Sequence, residues 1–314
     1  MRSVFGGPHI LNHANNSAST KPAKPAGAQV IEEIRPGQSI ELLKELHILT
    51  REGKLNQDTR RKLKQVYHLY QFIEPLLVEV SGSDKGFTLV DHGAGKSYLG
   101  FILYDLFFNV AHQGPKTAKP INGHIYGIET RSELVDKSRA LAQRLGFARM
   151  TFLNLLVQQA TTSVELPEQV DIVTALHACD TATDDAIAFG LAKQARHMVL
   201  VPCCQAEVAG VLRKNKALSL AKSPLAELWR HPLHTREFGS QITNVLRCLQ
   251  LEAHGYRVTV TELVGWEHSM KNELIIASRP QAPNAGKTRQ AQARLQQVLA
   301  ELGLGELTAR FALP

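Results

Sequence analysis

The residues best suited to chemistry lie in one short stretch, residues 87 to 105, which reads FTLVDHGAGKSYLGFILYD. An apolar run predicts a buried strand, and Asp91 closes it. Gly93 and Gly95 allow a sharp backbone turn and the close approach of a ligand, where a Cβ atom would collide. From Lys96 onward the sequence predicts an apolar helix, whose first N–H groups have no partner within the helix. The stretch therefore predicts a binding site for a nucleotide-type ligand.

The spacing of the glycines indicates which kinds of nucleotide the predicted site could bind. Aligning the GKS of residues 95–97 with the end of a phosphate-binding loop, GxxxxGK[ST], puts Val90, inside the strand, where the first glycine must be. The dinucleotide pattern GxGxxG fails as well, because Tyr98 stands in place of the third glycine. The pattern D-x-G-x-G at the end of a first strand remains, and it disfavours both ATP and the dinucleotides.

S-adenosylmethionine suits this pattern, because it has no phosphate but carries an amino-acid group, a sulfonium and a ribose diol. Asp91 can face the ammonium group, and the glycine backbone can pack against the amino-acid end. Glu129, which ends a second predicted strand, can accept both ribose hydroxyls, as such carboxylates do in nucleotide folds. We therefore predict S-adenosylmethionine as the cofactor. We assign its site to Asp91, Gly93, Ala94, Gly95, Lys96, Tyr98, Glu129, Asn154 and His177.

Strands and helices alternate from residue 87 onward, which predicts a Rossmann-like α/β fold with a mainly parallel sheet. The five predicted parallel strands are 87–90, 124–129, 150–153, 171–180 and 196–205. A last pair, 256–266 and 272–279, looks like two strands joined by a short loop. Class I methyltransferases add an antiparallel seventh strand to such a sheet, so this pair independently favours the same fold.

The N-terminal part of the chain predicts a helical extension. Residues 1–30 show no periodicity and predict a disordered arm. Apolar spacing predicts a helix near residues 38–50 and a second over 59–80, with Asp58 as N-cap and Pro75 kinking or dividing it. The predicted regions are the arm 1–30, a helical N-terminal extension 31–80, a methyltransferase domain 81–280, and a C-terminal linker and helix 281–314.

Composition and charge limit the partners. The chain is 44% hydrophobic and 21% charged, as in an ordinary soluble globular protein. No apolar run approaches the roughly 20 residues that span a bilayer, and the N-terminus lacks the apolar core of a signal peptide, so we expect a cytoplasmic protein with no membrane partner. A net charge of +7 suits a polyanion such as RNA. Four cysteines do not make a disulfide framework in so long a chain, so we expect reduced thiols.

Three segments in this order, DHGAGKSYLG, LHACDTATDDAI and VPCCQ, resemble a known group of methyltransferases. They are similar to the rRNA-adenine-dimethylase-domain-like proteins and to the methyltransferase part of the glutathione-S-transferase C-terminal-domain proteins. They also resemble tRNA acceptor-stem 2′-O-methyltransferases. The resemblance covers about residues 59–280 and implies the class I fold, S-adenosylmethionine and an RNA substrate, either tRNA or rRNA.

Polar residues after the fourth and fifth strands are the catalytic candidates, because consecutive parallel strands end at one edge of the sheet. They are His177, Asp180, Cys203 and Cys204. For 2′-O methylation, His177 or Asp180 could take the hydroxyl proton while Lys96 lowers the energy of the alkoxide. For methylation at C5 of a pyrimidine, Cys203 or Cys204 could first add as a thiolate. An exocyclic amine is disfavoured, because HACD differs from the [ND]-P-P-[YFW] loop that such enzymes use.

Two further readings of the cysteines stay open. One cysteine of the adjacent pair could pack as a small apolar side chain while the other shapes the pocket. A metal site built from His177, Cys179, Cys203 and Cys204 is disfavoured, since no CxxC spacing supports it, and we predict no metal.

Basic residues concentrate around the start of the second helix and again after the cysteine pair. We predict RNA contacts at Arg51, Lys54, Arg60, Arg61, Lys64, Arg213 and Lys214. A solvated helix face is the alternative reading of the first cluster. Trp266, His268 and Lys271 could line the substrate mouth or form a surface turn. The alternative functions are methylation of a protein or small molecule, and a non-catalytic RNA-binding factor that keeps the fold.

Overall fold

The computed structural model describes residues 33–83, 85–110, 122–176, 180–203, 205–215, 224–263 and 273–311. Contacts divide the chain into two compact units, residues 1–34 and 35–314. In the first unit only Glu33 and Ile34 are described, and they form a turn and a bend. The predicted disordered arm, residues 1–30, lies outside the described residues.

A seven-stranded sheet runs through the second unit. Its strands are β1 (Phe87–His92), β2 (Gly123–Glu129), β3 (Met150–Asn154), β4 (Ile172–Leu176), β5 (His197–Val201), β6 (Arg257–Glu262) and β7 (Glu273–Ser278). Their spatial order is β3-β2-β1-β4-β5-β7-β6. The first five strands pair in parallel, and β7 runs antiparallel to both β5 and β6. The predicted Rossmann-like sheet with an antiparallel last strand is confirmed.

Helices pack on the sheet, as a parallel sheet requires. They are α1 (Ile40–Glu45), α2 (Gln57–Ser81), α3 (Tyr98–Tyr104), α4 (Ser132–Leu145), α5 (Val157–Thr162), α6 (Thr181–Ala192), α7 (Glu207–Asn215), α8 (Pro232–Ala253), α9 (Ala285–Glu301) and α10 (Thr308–Phe311). All five residues of β5 are buried, which is typical of a strand covered on both faces. Among the described residues, no helix combines the length and apolarity needed to cross a membrane.

The strand ends differ from the sequence-based prediction. β1 extends two residues further and includes Asp91 and His92, while β4 ends at Leu176 and β5 at Val201 rather than near residues 180 and 205. Asp180, Cys203 and Gln205, which were predicted within strands four and five, therefore lie beyond the sheet, while residues 177–179 and Cys204 lie outside the described residues. This matters for the site, because residues beyond the pleated ladder depend on tertiary contacts for their orientation.

The helix α2 is one continuous element of 25 residues, so Pro75 does not divide it, and of the two predicted outcomes, a kink or a division, the division is wrong. Its apolar stripe is buried along the whole length, and this packing holds both halves together although the proline lacks an N–H donor. Its N-cap is Asn56 rather than the predicted Asp58. Asn56 Oδ1 accepts from the Thr59 N–H at 2.9 Å, and Thr59 Oγ1 accepts from the Asn56 N–H at 2.9 Å. This reciprocal capping box satisfies two N–H groups that the helix itself cannot.

A buried carboxylate attaches the N-terminal helices to the sheet domain. Asp105 is fully buried in a π-helical segment, Asp105–Val110, that continues α3. Its Oδ2 accepts a 3.0 Å hydrogen bond from the Ser39 N–H, and the Ser39 side chain caps α1 by accepting from the Leu42 N–H at 3.1 Å. The bond places α1 beside the end of α3.

The strand order changes direction where β1 and β4 lie side by side. From β1, the chain builds β2 and β3 toward one edge and then β4 and β5 toward the other. In parallel α/β sheets, ligands bind outside the carboxyl ends of the strands at such a switch point. The turn after β1 lies at this point.

Candidate active site

The turn after β1 has the backbone that the sequence predicts. Gly93 and Gly95 have φ angles of +66° and +57°, in the left-handed region that side chains disfavour. A Cβ atom added to Gly93 would meet nothing within 4 Å, so this residue borders open space. The Ala94 N–H donates to the Ile128 carbonyl at 2.9 Å and holds the turn against the end of β2. A ligand can therefore approach the backbone closely here.

The start of α3 depends on Ser97, which the sequence analysis did not single out. Ser97 is fully buried with φ +50°, and no hydrogen-bond partner of its hydroxyl exists among the described residues. A Cβ atom on Gly100 would lie 2.7 Å from Ser97 Oγ, and one on Gly127 would lie 3.4 Å from it. Two glycines, one on α3 and one on β2, thus make room for this serine and let α3 begin against the sheet.

Asp91 is a buried carboxylate at the switch point. It is 2% exposed, and its Oδ1 accepts a 2.8 Å hydrogen bond from Thr174 Oγ1 on β4. Burial raises the pKa of Asp91 to about 7. A cation placed beside this carboxylate would favour its charged form. The site at the end of β1 therefore suits the ammonium group of an amino acid.

Glu129 at the end of β2 is held by the turn and by a neighbouring arginine. Its Oε2 accepts from the Gly95 N–H at 2.8 Å, and Arg131 grips both oxygens, with Nε at 3.0 Å from Oε1 and Nη2 at 3.1 Å from Oε2. Burial alone would raise the pKa of Glu129, but the hydrogen bonds from Arg131 and Gly95 hold it at about 2. The carboxylate is therefore ionised. Asn154 Nδ2 donates to the Glu129 backbone carbonyl at 2.9 Å and so helps fix the end of β2.

A cavity of about 900 Å³ opens above the turn. One wall is the α2 face formed by Lys62, Gln65, Val66 and Leu69, and another is the α4 face formed by Leu134, Lys137, Ser138 and Leu141. Both sets follow the three- and four-residue spacing that puts side chains on one face of a helix. Leu176 and Val201, at the ends of β4 and β5, and Leu263, just after β6, also line it.

Most residues predicted to bind the cofactor lie in the cavity wall. Asp91, Gly93, Ala94, Gly95, Lys96 and Tyr98 all line it. The Tyr98 hydroxyl is buried with no partner among the described residues, and burial raises the pKa of Tyr98. Glu129 is adjacent, covered by Arg131, while Asn154 acts on the backbone of Glu129 from outside the cavity lining. His177 lies outside the described residues.

The catalytic candidates are only partly described. His177, Cys179 and Cys204 lie outside the described residues, and Cys203 is half-buried two residues after β5. The Asp180 carboxylate accepts from the N–H groups of Ala206 and Glu207 at 3.1 and 3.4 Å, so it caps the start of α7. Among the residues that the structure describes, no three His, Cys, Asp or Glu side chains group closely enough to hold a metal ion.

Arg247 organises the region beyond β4 and β5, and the sequence analysis missed it. The side chain is fully buried, and its Nε and Nη2 donate to the two carboxylate oxygens of Asp184 at 2.7 and 2.9 Å. Nη2 also donates to the Asp180 carbonyl at 2.8 Å, and Nη1 to Asn244 Oδ1 at 3.1 Å. Gln205 Nε2 donates to the same Asn244 oxygen at 2.6 Å. The signal in the sequence was a charged residue within the apolar pattern of α8.

The predicted RNA contacts lie on the surface and outside the cavity lining. Arg51, Lys54, Arg60, Arg61, Lys64, Arg213 and Lys214 are all exposed. Lys214 forms a 3.0 Å ion pair with Glu306, and Arg61 lies 3.9 Å from Asp58. Lys62, which the prediction passed over, is the member of the first cluster that faces the cavity. The reason is helical periodicity, since position 62 shares a face with 65, 66 and 69.

The fold and this site agree with the comparison of the chain with known families. Residues 61–211 match the model of a family described as a methyltransferase domain. Over these residues, just under half of the chain, the protein is similar to a methyltransferase domain. Together with the seven-stranded order, the match confirms the predicted class of S-adenosylmethionine-dependent methyltransferase and S-adenosylmethionine as its cofactor. No match was found among curated protein sequences.

Several solved methyltransferase structures are similar to this methyltransferase, at low identity. An rRNA methylase from Streptococcus thermophilus is 9% identical, with a TM-score of 0.41 and coverage of 67% of this chain and 95% of that one. Magnesium protoporphyrin IX methyltransferase from Synechocystis PCC 6803 is 15% identical, with a TM-score of 0.41 and coverage of 76% and 93%. A putative caffeoyl-CoA O-methyltransferase from Staphylococcus aureus is 11% identical, with a TM-score of 0.41 and coverage of 77% and 92%. Likenesses this distant carry no argument about the substrate.

Proposed function

We propose that this methyltransferase transfers a methyl group to RNA, either tRNA or rRNA. The observation that carries the proposal is the position of α2. This helix begins in the densest basic cluster of the chain, and from Lys62 to Leu69 it forms a wall of the cavity beside the glycine turn. The cavity volume of about 900 Å³ is near the upper end of the roughly 300–1,000 Å³ typical of ligand pockets. It leaves room for an acceptor nucleotide beside the cofactor.

The residues present fit the cofactor in three places. Asp91 would hold the ammonium group, because a cation there offsets the burial of its carboxylate. The glycine turn would accommodate the amino-acid end, since a Cβ atom on Gly93 would project into open space. Glu129 would accept the ribose hydroxyls once the guanidinium of Arg131, whose side chain is 60% exposed, moves aside. When bound, S-adenosylmethionine supplies a methyl group on a cationic sulfonium.

The protein must chiefly align the acceptor and, where needed, take its proton. The Asp180 carboxylate holds two N–H groups at the start of α7, so we assign it a positioning role in preference to the role of a base. For 2′-O methylation this leaves His177 as the proton acceptor, with Lys96 in the cavity wall near the developing alkoxide. For C5 methylation, Cys203 is a half-buried thiol just beyond β5. Cys204 stays a second candidate for that role.

The test is methyl transfer from radiolabelled S-adenosylmethionine to purified acceptors. Total tRNA, rRNA and a protein extract from a strain that lacks the gene are offered separately to the wild-type protein. We expect label in one RNA fraction, and mass spectrometry of its nucleosides then identifies the modified atom. Asp91→Asn is the matched negative control, because it keeps the side-chain shape but removes the charge. Label in the protein fraction with none in either RNA would overturn the proposal.

A further inference from the structure

The cavity beside the cofactor turn carries more positive charge than its own carboxylates neutralise. Five basic side chains line it, namely Lys62, Lys96, Arg131, Lys137 and Arg144. Two of them have acidic partners, since Arg131 pairs with Glu129 at 3.0 Å and Arg144 pairs with Glu41 and Glu45 at 3.2 and 2.6 Å. In the part of the chain that the structure describes, no carboxylate forms an ion pair with the three lysines. Their charge is available to a ligand.

Two of these lysines belong to the helix faces that form the cavity walls. Lys62 precedes Val66 and Leu69 on the cavity face of α2, and Lys137 lies between Leu134 and Leu141 on that of α4. Each helix thus presents apolar side chains and one exposed lysine to the same space, and α4 adds Arg144, which pairs with Glu41 and Glu45. Lys96 differs, because it belongs to the turn that we assign to the cofactor.

The strand ends also contribute apolar lining to the cavity. Leu176 and Val201 at the ends of β4 and β5, together with Leu263 after β6, belong to this lining. An apolar interior with cations on its walls matches the two parts of a nucleotide, whose base has apolar faces and whose phosphates are anionic. A ligand that lacked negative charge would leave both lysines without partners.

We infer that Lys62 and Lys137 form a phosphate clamp, which grips the backbone of the acceptor nucleotide while its base enters the cavity. The inference rests on the proposed RNA methylation and identifies the part of the RNA that the cavity reads. It also assigns the N-terminal helix α2 a direct role in substrate binding, because Lys62 belongs to it. The arginines and lysines on the outer faces of α2 would add contacts to a longer RNA, but they do not reach this cavity.

The test measures how a short RNA binds as salt rises. The probe is a single-stranded pentanucleotide with a 3′ fluorophore, and its anisotropy is followed with the wild type and with Lys62→Gln, Lys137→Gln and the double variant. Each lost phosphate contact should lower the slope of log affinity against log salt by about 0.7. We expect each single variant to weaken binding by about fivefold at low salt, and the double variant to weaken it further.

Two controls separate charge from fold. Lys287→Gln removes an exposed lysine of α9 that does not line the cavity, and it should leave the slope unchanged. Lys62→Arg and Lys137→Arg keep the charge and should restore most of the slope. Calorimetry with S-adenosylmethionine should give wild-type affinity for all variants, which shows that the cofactor turn is intact.

The outcomes distinguish the clamp from the function on which it rests. Wild-type slopes in both glutamine variants, with RNA still methylated, would overturn the clamp and leave the proposed function standing. A wild-type protein that neither binds the pentanucleotide at low salt nor methylates any RNA would overturn the proposed function and the clamp together.

Discussion

Glu129 and Asp184 each form a bidentate ion pair with an arginine, and the two pairs lie on opposite sides of the switch point. Arg131 follows Glu129 by two residues, and its side chain is 60% exposed. Arg247 lies 63 residues from Asp184 in the chain, and its side chain is fully buried. The first pair is local and its arginine is exposed, so a ligand that supplies hydrogen-bond donors to Glu129 can take the place of the guanidinium. The second cannot open without leaving a buried charge unpaired, so it serves as a fixed support.

This contrast divides the site into two halves with different physical bases. On the β1–β2 side, a glycine turn and a nearby carboxylate form the site that we propose for the cofactor, largely from residues close in the chain. On the β4–β5 side, Arg247 connects the Asp180 carbonyl with Asp184 and Asn244, and so ties the start of α6 to α8. On the β1–β2 side, Glu129 can exchange its arginine for a ligand. On the β4–β5 side, the Arg247 pair fixes the position of the neighbouring segments.

The largest effect should come from removing the buried arginine. Arg247→Met leaves Asp184 buried without its partner, so we expect the free energy of unfolding to fall by about 3–5 kcal/mol, as when one member of a buried pair is lost. Urea denaturation followed by circular dichroism measures this. The double variant Arg247→Met with Asp184→Leu should recover a large part of the loss, because it removes both charges. A single variant that costs under about 1 kcal/mol would show that this pair is as exchangeable as Glu129–Arg131.

The second-largest effect should come from substituting Asp91, a buried carboxylate that pairs with no arginine among the described residues. Because its pKa is raised to about 7, the native state holds a proton between about pH 4 and pH 7 that the unfolded chain releases. Without cofactor, the buried Asp91 carboxylate therefore destabilises the native state above pH 7, and this destabilisation disappears as the pH falls from 7 to 4. Asp91→Asn has no such titration, so the free energy of unfolding of the variant, relative to wild type, should increase by on the order of 3 kcal/mol as the pH rises from 4 to 8.

Denaturation of both proteins at several pH values measures this difference, and other titrating groups cancel in the comparison. The same variant should lose measurable affinity for S-adenosylmethionine, because an amide cannot balance the ammonium charge. Parallel stability profiles for the two proteins would mean that Asp91 does not titrate in this range.

Glu129 should matter for binding more than for stability. Glu129→Gln removes the charge that faces the turn, and we expect the dissociation constant for S-adenosylmethionine to rise by about tenfold to a hundredfold, or about 1.4–2.8 kcal/mol. Isothermal titration calorimetry measures it. The melting temperature without cofactor serves as a control for folding. An unchanged dissociation constant would remove Glu129 from the cofactor site.

The smallest effect should follow from Arg131→Gln. The pair is local, the arginine is exposed and the Gly95 N–H still donates to Glu129, so the free energy of unfolding should fall by no more than about 1 kcal/mol. The affinity for S-adenosylmethionine should stay equal or improve slightly, because Glu129 no longer exchanges a partner when the ribose binds. Denaturation and calorimetry on one preparation measure both quantities. If the variant lost several kcal/mol of unfolding free energy, Arg131 would be a structural support like Arg247, and the contrast between the two pairs would be wrong.

The sequence by itself determined the features that depend on local periodicity and turn chemistry. The strand–helix alternation predicted the sheet, the spacing of Gly93 and Gly95 predicted a turn with positive φ angles, and the end of β2 placed Glu129 beside it. Each of these follows from residues a few positions apart, or from the rule that parallel strands end at one edge. The nature of the cofactor could be predicted for the same reason.

Tertiary structure alone decided how the distant parts meet. Asp180 resembles a catalytic base in the sequence, but its carboxylate caps α7, 26 residues further along the chain. Pro75 predicts a kinked or divided helix, but burial of the apolar stripe keeps α2 in one piece. In the sequence, Lys62 is one of several basic residues, and only the packing of α2 places it in the cavity wall. Arg247 likewise has its role only because Asp184, 63 residues away in the chain, lies beside it. Such contacts depend on packing between elements, which local patterns do not encode.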